Sequence, residues 1–203
     1  MDWAKLTRWM DDRGFGQGEI GRVQQLSGGT QNILIRFSRD GRDFVLRRPP
    51  ATPRPSSNET MRREARVLAG LAESPVPHPR LIGLCDDEDV LGAVFYLMEP
   101  VEGFNAAAGL PPNHAGDAAI RRRMGLSMVE AIAAVGALDL IQTGLADFGK
   151  PDNFLERQVG RWKAQLAGYA DFAGWTGPDA IPGVDRVAHW LEANRPASFS
   201  PGL

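Results

Sequence analysis

The chain is short of the residues that would mark several common protein classes. It has one cysteine, Cys85, which excludes an internal disulfide and a cysteine-rich zinc site. Beside Leu84 that thiol reads as a small buried hydrophobe rather than a nucleophile. No apolar run reaches the ~18 residues that a membrane span needs. The start, Met1-Asp2-Trp3-Ala4-Lys5, has no apolar signal core, so a cytoplasmic protein with no membrane partner is expected. The net charge of −2 leaves no whole-chain footprint for nucleic acid or an anionic surface. Lysine is missing between Lys5 and Lys150, so cationic roles in that stretch fall to arginine. His78 in a Pro-rich turn and His189 on a helical segment read as structural, and there is no cluster with metal-ligand spacing. Internal repeats and low-complexity tracts are also missing. The 43% hydrophobic and 24% charged composition is that of an ordinary globular chain, and 203 residues allow one large domain or two small lobes.

Charge is uneven locally. From Arg36 to Arg66 there are nine arginines against four carboxylates, a local excess of +5. A polyphosphate would suit such a patch. Nucleic acid is an alternative, poorly supported because only Phe37 and Phe44 offer rings for base stacking. A solvated basic surface is the plain reading.

The order of elements can be read from spacing. Trp3, Leu6 and Met10 predict a helix over residues 2–13. Val23–Leu26 and residues 33–38 predict strands, with Asp40-Gly41 as a hairpin turn before a third strand. On that strand Phe44, Leu46 and Arg48 share one face, and Val45 and Arg47 the other. Pro49, Pro50, Pro53 and Pro55 make a stiff connector. Ser56 and Glu59 have capping-box spacing ahead of a helix whose stripe is Met61, Ala65 and Leu68. Leu81–Cys85 and Ala93–Met98 predict a hairpin closed by the acidic turn Asp86-Asp87-Glu88-Asp89. From Asp117 the pattern is helical, over 117–143, 153–170 and 183–194.

Candidate site residues lie in four places. Gly28 and Gly29, without Cβ atoms, would let backbone amides approach phosphate oxygens, with Thr30, Gln31 and Asn32 as further donors. A plain hairpin loop is the alternative, and the absence of Gly-Lys-Ser/Thr excludes a Walker A motif. Arg47 closes Val45-Leu46-Arg47, the place of the strand lysine in the kinase signature, with Val45 set to pack on a base. Arginine there stays charged and binds in a bidentate fork. Arg48 is the rival, and an edge-strand surface arginine the plain alternative. Glu64, 17 residues after Arg47, falls within an apolar helix stripe and so needs a cationic partner. Met98 would stand beside the base, and backbone groups near Glu99 and Val101 would read its edge; an ordinary strand exit is the alternative. Together these follow the order of a kinase small lobe.

The segments Leu-Ser-Gly-Gly-Thr-Gln-Asn (26–32), Phe-Val-Leu-Arg-Arg-Pro-Pro (44–50), Arg-Arg-Glu-Ala-Arg-Val-Leu (62–68), Val-Pro-His-Pro-Arg (76–80) and Tyr-Leu-Met-Glu-Pro-Val-Glu-Gly (96–103) resemble the aminoglycoside phosphotransferase, choline kinase-like family. The branch they resemble includes the kinase-like domain attached to some acyl-CoA dehydrogenases. Gly-Leu-Ala-Asp-Phe-Gly (144–149) and Phe-Leu-Glu-Arg-Gln (154–158) with Trp162 resemble it too. The resemblance runs from about residue 20 to the end. It implies an α+β fold, a protein-kinase-like small lobe over residues 1–101 with a five-stranded antiparallel sheet and one packed helix. A partial, mostly helical lobe follows over 102–203. It also implies ATP as the nucleotide and transfer to a hydroxyl of a small-molecule acceptor that the residues do not identify.

Two departures qualify this. Where the family carries Leu-His-x-x-Asp, this chain has Leu138-Asp139 with Gly136 in place of the histidine. No match to His-Gly-Asp-x-x-x-x-Asn, the family's base and metal-ligand loop, occurs in the 203 residues, and Phe199-Ser200-Pro201-Gly202-Leu203 resembles its lead-in. Asp147-Phe148-Gly149 comes before any such loop, unlike the metal-holding triplet of protein kinases, and reads as a turn. The expectation is an inactive fragment of a phosphotransferase that holds the nucleotide-covering half, with Mg²⁺ bound only by a longer parent. A non-catalytic nucleotide-binding or interaction module is the alternative.

Overall fold

The computed structural model describes residues 1–26 and 32–199. Their contacts divide the chain into two compact units, 1–135 and 136–203. The first unit holds α1 (Trp3–Asp11), β1 (Gly21–Leu26), β2 (Ile33–Arg39), β3 (Arg42–Arg48), α2 (Ser57–Gly70), β4 (Leu81–Cys85), α3 (Glu88–Leu91), β5 (Phe95–Met98), α4 (Pro112–Gly116) and α5 (Ala118–Gly136). The strands form one antiparallel sheet in the order β1-β2-β3-β5-β4. This is the α+β architecture expected from the sequence, with five strands and α2 packed on the sheet.

Strand alternation sorts the core into two layers. Phe37, Phe44, Leu46, Phe95 and Leu97 point to one face, where Leu6, Trp9 and Met10 of α1 cover them. Tyr96 points to the other, where it meets Met61 and Ala65 of α2. The sheet is thus covered on both faces, and the N-terminal helix fills the layer opposite α2. Arg39 holds α1 there. Its side chain is fully buried, pairs with Asp11 and donates to the Gly18 carbonyl at 2.9 Å. Close packing also selects Gly83, at a register irregularity in β4. A Cβ there would lie 2.7 Å from the Phe15 ring.

Local details depart from expectation in three places. The β4–β5 hairpin forms, but its connection is the helical turn α3 rather than a simple acidic turn. Asp87 caps α3 by accepting from the Asp89 amide at 2.9 Å, and Gly92 ends it with φ 78°. Asp87 thus satisfies one free amide, and Glu88 and Asp89 in the first turn suit the positive end of the helix dipole. Ser56 occupies the N-cap of α2, but its side chain makes no capping bond. Instead Ser57 Oγ accepts from the Arg54 amide at 2.9 Å, and Thr60 Oγ1 donates to the Ser56 carbonyl at 3.0 Å. These bonds tie the proline connector to the first turn of α2 without capping a helix amide. Finally, α5 stops at Gly136 rather than continuing to residue 143. Asp139 accepts from the amides of Ile141 and Gln142 at 2.9 and 3.1 Å, a local turn that competes with helix.

No residue of α5 is buried, and Met128 and Ile132 of its apolar stripe are 67% and 70% exposed. The second unit contains α6 (Phe154–Ala167) and α7 (Val184–Ala193), joined on the surface by the Lys163–Asp185 pair at 2.8 Å. Asp147 lies in a turn of that unit. No helix among the described residues is long and apolar enough to cross a membrane.

Candidate functional site

The site is built on the α2 face of the sheet. β3 and β5 pair so that Val45 lies opposite Met98 and Arg47 opposite Tyr96. Because both pairs sit two residues apart on each strand, all four side chains share this face. Val45 is buried at 3% exposure, and Met98 packs at the edge of the cluster around Tyr96. Arg36 of β2 lies opposite Val45 on its other side. Its guanidinium pairs with Asp43 and, across to the segment after β5, with Glu102, both at 2.7 Å. Those hydrogen bonds raise the Arg36 pKa, and the same bond to Arg36 lowers that of Asp43.

Arg47 and Glu64 meet. Arg47 Nε donates to Glu64 Oε2 at 2.8 Å, and Nη2 donates to Oε1 at 3.1 Å. This is the parallel bidentate fork that arginine makes and lysine cannot. The two side chains are 28% and 31% exposed, so the pair is half-sheltered rather than sealed. A third donor completes it: the Tyr96 hydroxyl donates to Glu64 Oε2 at 3.0 Å. Burial raises the Tyr96 phenol pKa, and the negative charge of Glu64 raises it further. The phenol therefore stays neutral and remains a donor. Arg48, on the other face as strand parity requires, donates to the Pro49 carbonyl at 3.2 Å, and burial lowers its pKa.

In front of the Arg47–Glu64 pair is a cleft of about 470 Å³. Asn32 and Leu34 line it from β2 and its approach, and Arg54, Ser57 and Thr60 from the connector and α2. The helix is held in place by Asn58, whose Oδ1 accepts from the Val94 amide at 3.1 Å, and by the Arg62–Asp86 pair at 2.6 Å. The Glu99 amide donates to the Arg80 carbonyl at 2.9 Å, and Val101 is 71% exposed. Gly28, Gly29, Thr30 and Gln31 lie outside the described residues. The flanking strands pair as far as Leu26 opposite Leu34.

The structure thus brings Val45, Arg47, Glu64 and Met98 to one face, with Asn32 at the cleft. Sequence reasoning missed Tyr96, Asn58, Arg54 and Thr60. Tyr96 carried a usable signal, since its position on β5 has the parity of Met98 and faces the same layer. Arg54 and Thr60 carried none, because their approach to the cleft depends on how the proline connector folds. Cys85 is buried, burial raises its pKa, and it lies on the α1 side with the core. Among the described residues no group of three or more His, Cys, Asp or Glu side chains is arranged to hold a metal ion.

Comparison with known proteins identifies the family and the fold. Residues 22–203 match the phosphotransferase enzyme family. The chain is 30% identical over 176 residues to mouse acyl-CoA dehydrogenase family member 10, covering 85% of this chain and 15% of that protein. It is 32% identical over 187 residues to chicken acyl-CoA dehydrogenase family member 11, covering 90% of this chain and 22% of that one. The chain therefore spans less than a quarter of the length of these relatives. Among solved structures, a putative aminoglycoside phosphotransferase from Ralstonia eutropha JMP134 superposes with a TM-score of 0.68 at 30% identity, over 97% of this chain and 54% of that one. A thermostable mutant of aminoglycoside phosphotransferase APH(4)-Ia, in complex with ADP and hygromycin B, shares the fold at 16% identity and a TM-score of 0.56, over 93% of this chain and 60% of that one. With its five-stranded sheet, α2 and the kinase-like fold of these structures, the chain belongs to the phosphotransferase enzyme family.

Proposed function

We propose that residues 1–101 form the nucleotide-covering half of an ATP-dependent phosphotransferase acting on a hydroxyl of a small molecule. The 203 residues by themselves bind ATP without turning it over. The observation that carries this reading is the bidentate Arg47–Glu64 pair at the back of the cleft. A fixed cation there suits a triphosphate, and phosphoryl transfer depends on positioning and charge neutralisation more than on covalent chemistry. The nucleotide in the APH(4)-Ia complex supports the same assignment.

In this reading Arg47 holds phosphate oxygens and Glu64 orients it. Asn32, together with Gly28, Gly29, Thr30 and Gln31, is assigned to the phosphates on the strength of these residue types. Val45 and Met98 pack on the base. The Glu99 amide is already engaged by Arg80, so the Glu99 carbonyl and the Val101 amide are the groups we assign to the base edge. No step runs through a metal ion or a general base, because the residues that would supply them have no match in these 203. A non-catalytic nucleotide-binding module fits the same cleft, and the arginine standing where the kinase signature has lysine favours it.

Isothermal titration of the chain with ATP tests the binding half. Saturable binding that Arg47→Ala abolishes is expected, and no binding by the folded wild-type chain refutes the reading. An ADP-release assay with ATP, Mg²⁺ and a panel of small alcohols tests the other half. No turnover is expected, and robust metal-dependent ADP production would overturn the claim of inactivity.

A further inference from the structure

We propose that Tyr96 is a positioning residue of the nucleotide cleft: it holds the Glu64 carboxylate, which in turn sets the Arg47 guanidinium. The proposal rests on the nucleotide reading above. Its basis is the geometry of one oxygen atom. Glu64 Oε2 accepts from Arg47 Nε at 2.8 Å and from the Tyr96 hydroxyl at 3.0 Å, while Oε1 accepts from Arg47 Nη2 at 3.1 Å.

A carboxylate held by one guanidinium can swing with it, because the fork is preserved when both move together. The phenol removes that freedom. It comes from β5, and Arg47 comes from β3, at directly paired positions of the sheet. Glu64 on α2 is therefore fixed from two strands, and the plane of its carboxylate is set by Arg47 and Tyr96 together rather than by Arg47 alone. Tyr96 itself is 4% exposed and packs against Met61 and Ala65, so its hydroxyl has little room to wander. The charged groups facing it are Glu64 from α2 and Arg47 from β3. Its β4 partner, Leu84, is apolar.

Phenylalanine at this position would keep the packing and remove only the donor. Tyr96→Phe is expected to weaken ATP binding about fivefold, the scale of one hydrogen bond to a charged group acting at one remove. A second readout reports the contact itself. The chain has two tyrosines, so in a Tyr169→Phe background the phenolate absorbance belongs to Tyr96 alone. Adding Glu64→Gln removes the negative charge beside the phenol and is expected to bring its ionisation to lower pH. A hydroxyl that makes no contact with Glu64 would leave that titration where it was, and the loss of ATP affinity in Tyr96→Phe is what separates positioning from packing.

The outcomes separate cleanly. Folded Tyr96→Phe protein that binds ATP as tightly as wild type overturns the positioning role and leaves the nucleotide reading standing. A Tyr96 titration that ignores Glu64→Gln overturns it too. A folded wild-type chain that binds no ATP refutes both. Weakened binding with a shifted titration supports both.

Discussion

Replacing Glu64 by glutamine perturbs the site with almost no change of shape. Oε2 accepts two hydrogen bonds and Oε1 one, so the glutamine will place its carbonyl oxygen where Oε2 stood. Its amide group then faces Arg47 Nη2, donor against donor. One charge-assisted bond is lost, and the remaining two weaken because the acceptor is no longer ionised. A hydrogen bond to a charged group contributes about 1.5–3 kcal/mol when sheltered. With the two side chains 28% and 31% exposed, solvent screening reduces this to about 1–2 kcal/mol of stability. Arg47 also loses its orientation, which should weaken ATP about tenfold, or about 1.4 kcal/mol. Urea denaturation gives the first number and isothermal titration the second. A double-mutant cycle with Arg47→Gln isolates the coupling between the two side chains. Cooperatively folded Glu64→Gln protein with wild-type affinity for ATP would refute the reasoning, since the fork would then be irrelevant to the ligand.

Arg39→Met should destabilise the first unit by about 1–2 kcal/mol, because it removes the bonds to Asp11 and the Gly18 carbonyl while leaving both acceptors open to water; faster amide exchange in α1 is the specific sign, and unchanged protection there would refute it. Gly83→Ala should cost about 1–3 kcal/mol through overpacking against Phe15, and a thermal midpoint equal to wild type would show that the ring yields freely. Stability should also fall at alkaline pH. The folded state keeps the Tyr96 proton that the unfolded chain releases near pH ~10, so this contribution is fully present below that pH and is lost as pH rises through the raised folded pKa. Tyr96→Phe should flatten that part of the stability profile, and an identical alkaline slope in the variant would count against it.

Much of this was legible from residue order. The strand over 42–48 could be read from alternation, and the same alternation put Arg47 and Val45 on one face and Arg48 on the other. The charged residue within the α2 stripe, Glu64, demanded a cation, and Arg47 was the available one at the right parity. Parity put Tyr96 on the layer of Met98 but did not show what its hydroxyl does. In an apolar strand a tyrosine at a core-facing position looks like any other large buried ring, and its hydroxyl acquires a role only when the sheet sets it beside the helix. The Ser56-x-x-Glu59 spacing marks where α2 starts but makes no capping bond, because spacing alone does not fix which way the N-cap side chain turns.

Local chemistry alone settled the elements: period-two strands, the Asp-Gly hairpin and the helix stripes follow from preferences that each residue expresses beside its neighbours. Tertiary structure decided which faces those elements show one another. The layer that α1 provides behind the sheet depends on Arg39 reaching a helix 28 residues earlier in the chain. The three-donor hold on Glu64 depends on β3, β5 and α2 meeting at one point. Such contacts join residues far apart in sequence. Their energy rewards only the finished arrangement, so no single stretch of chain carries a record of them.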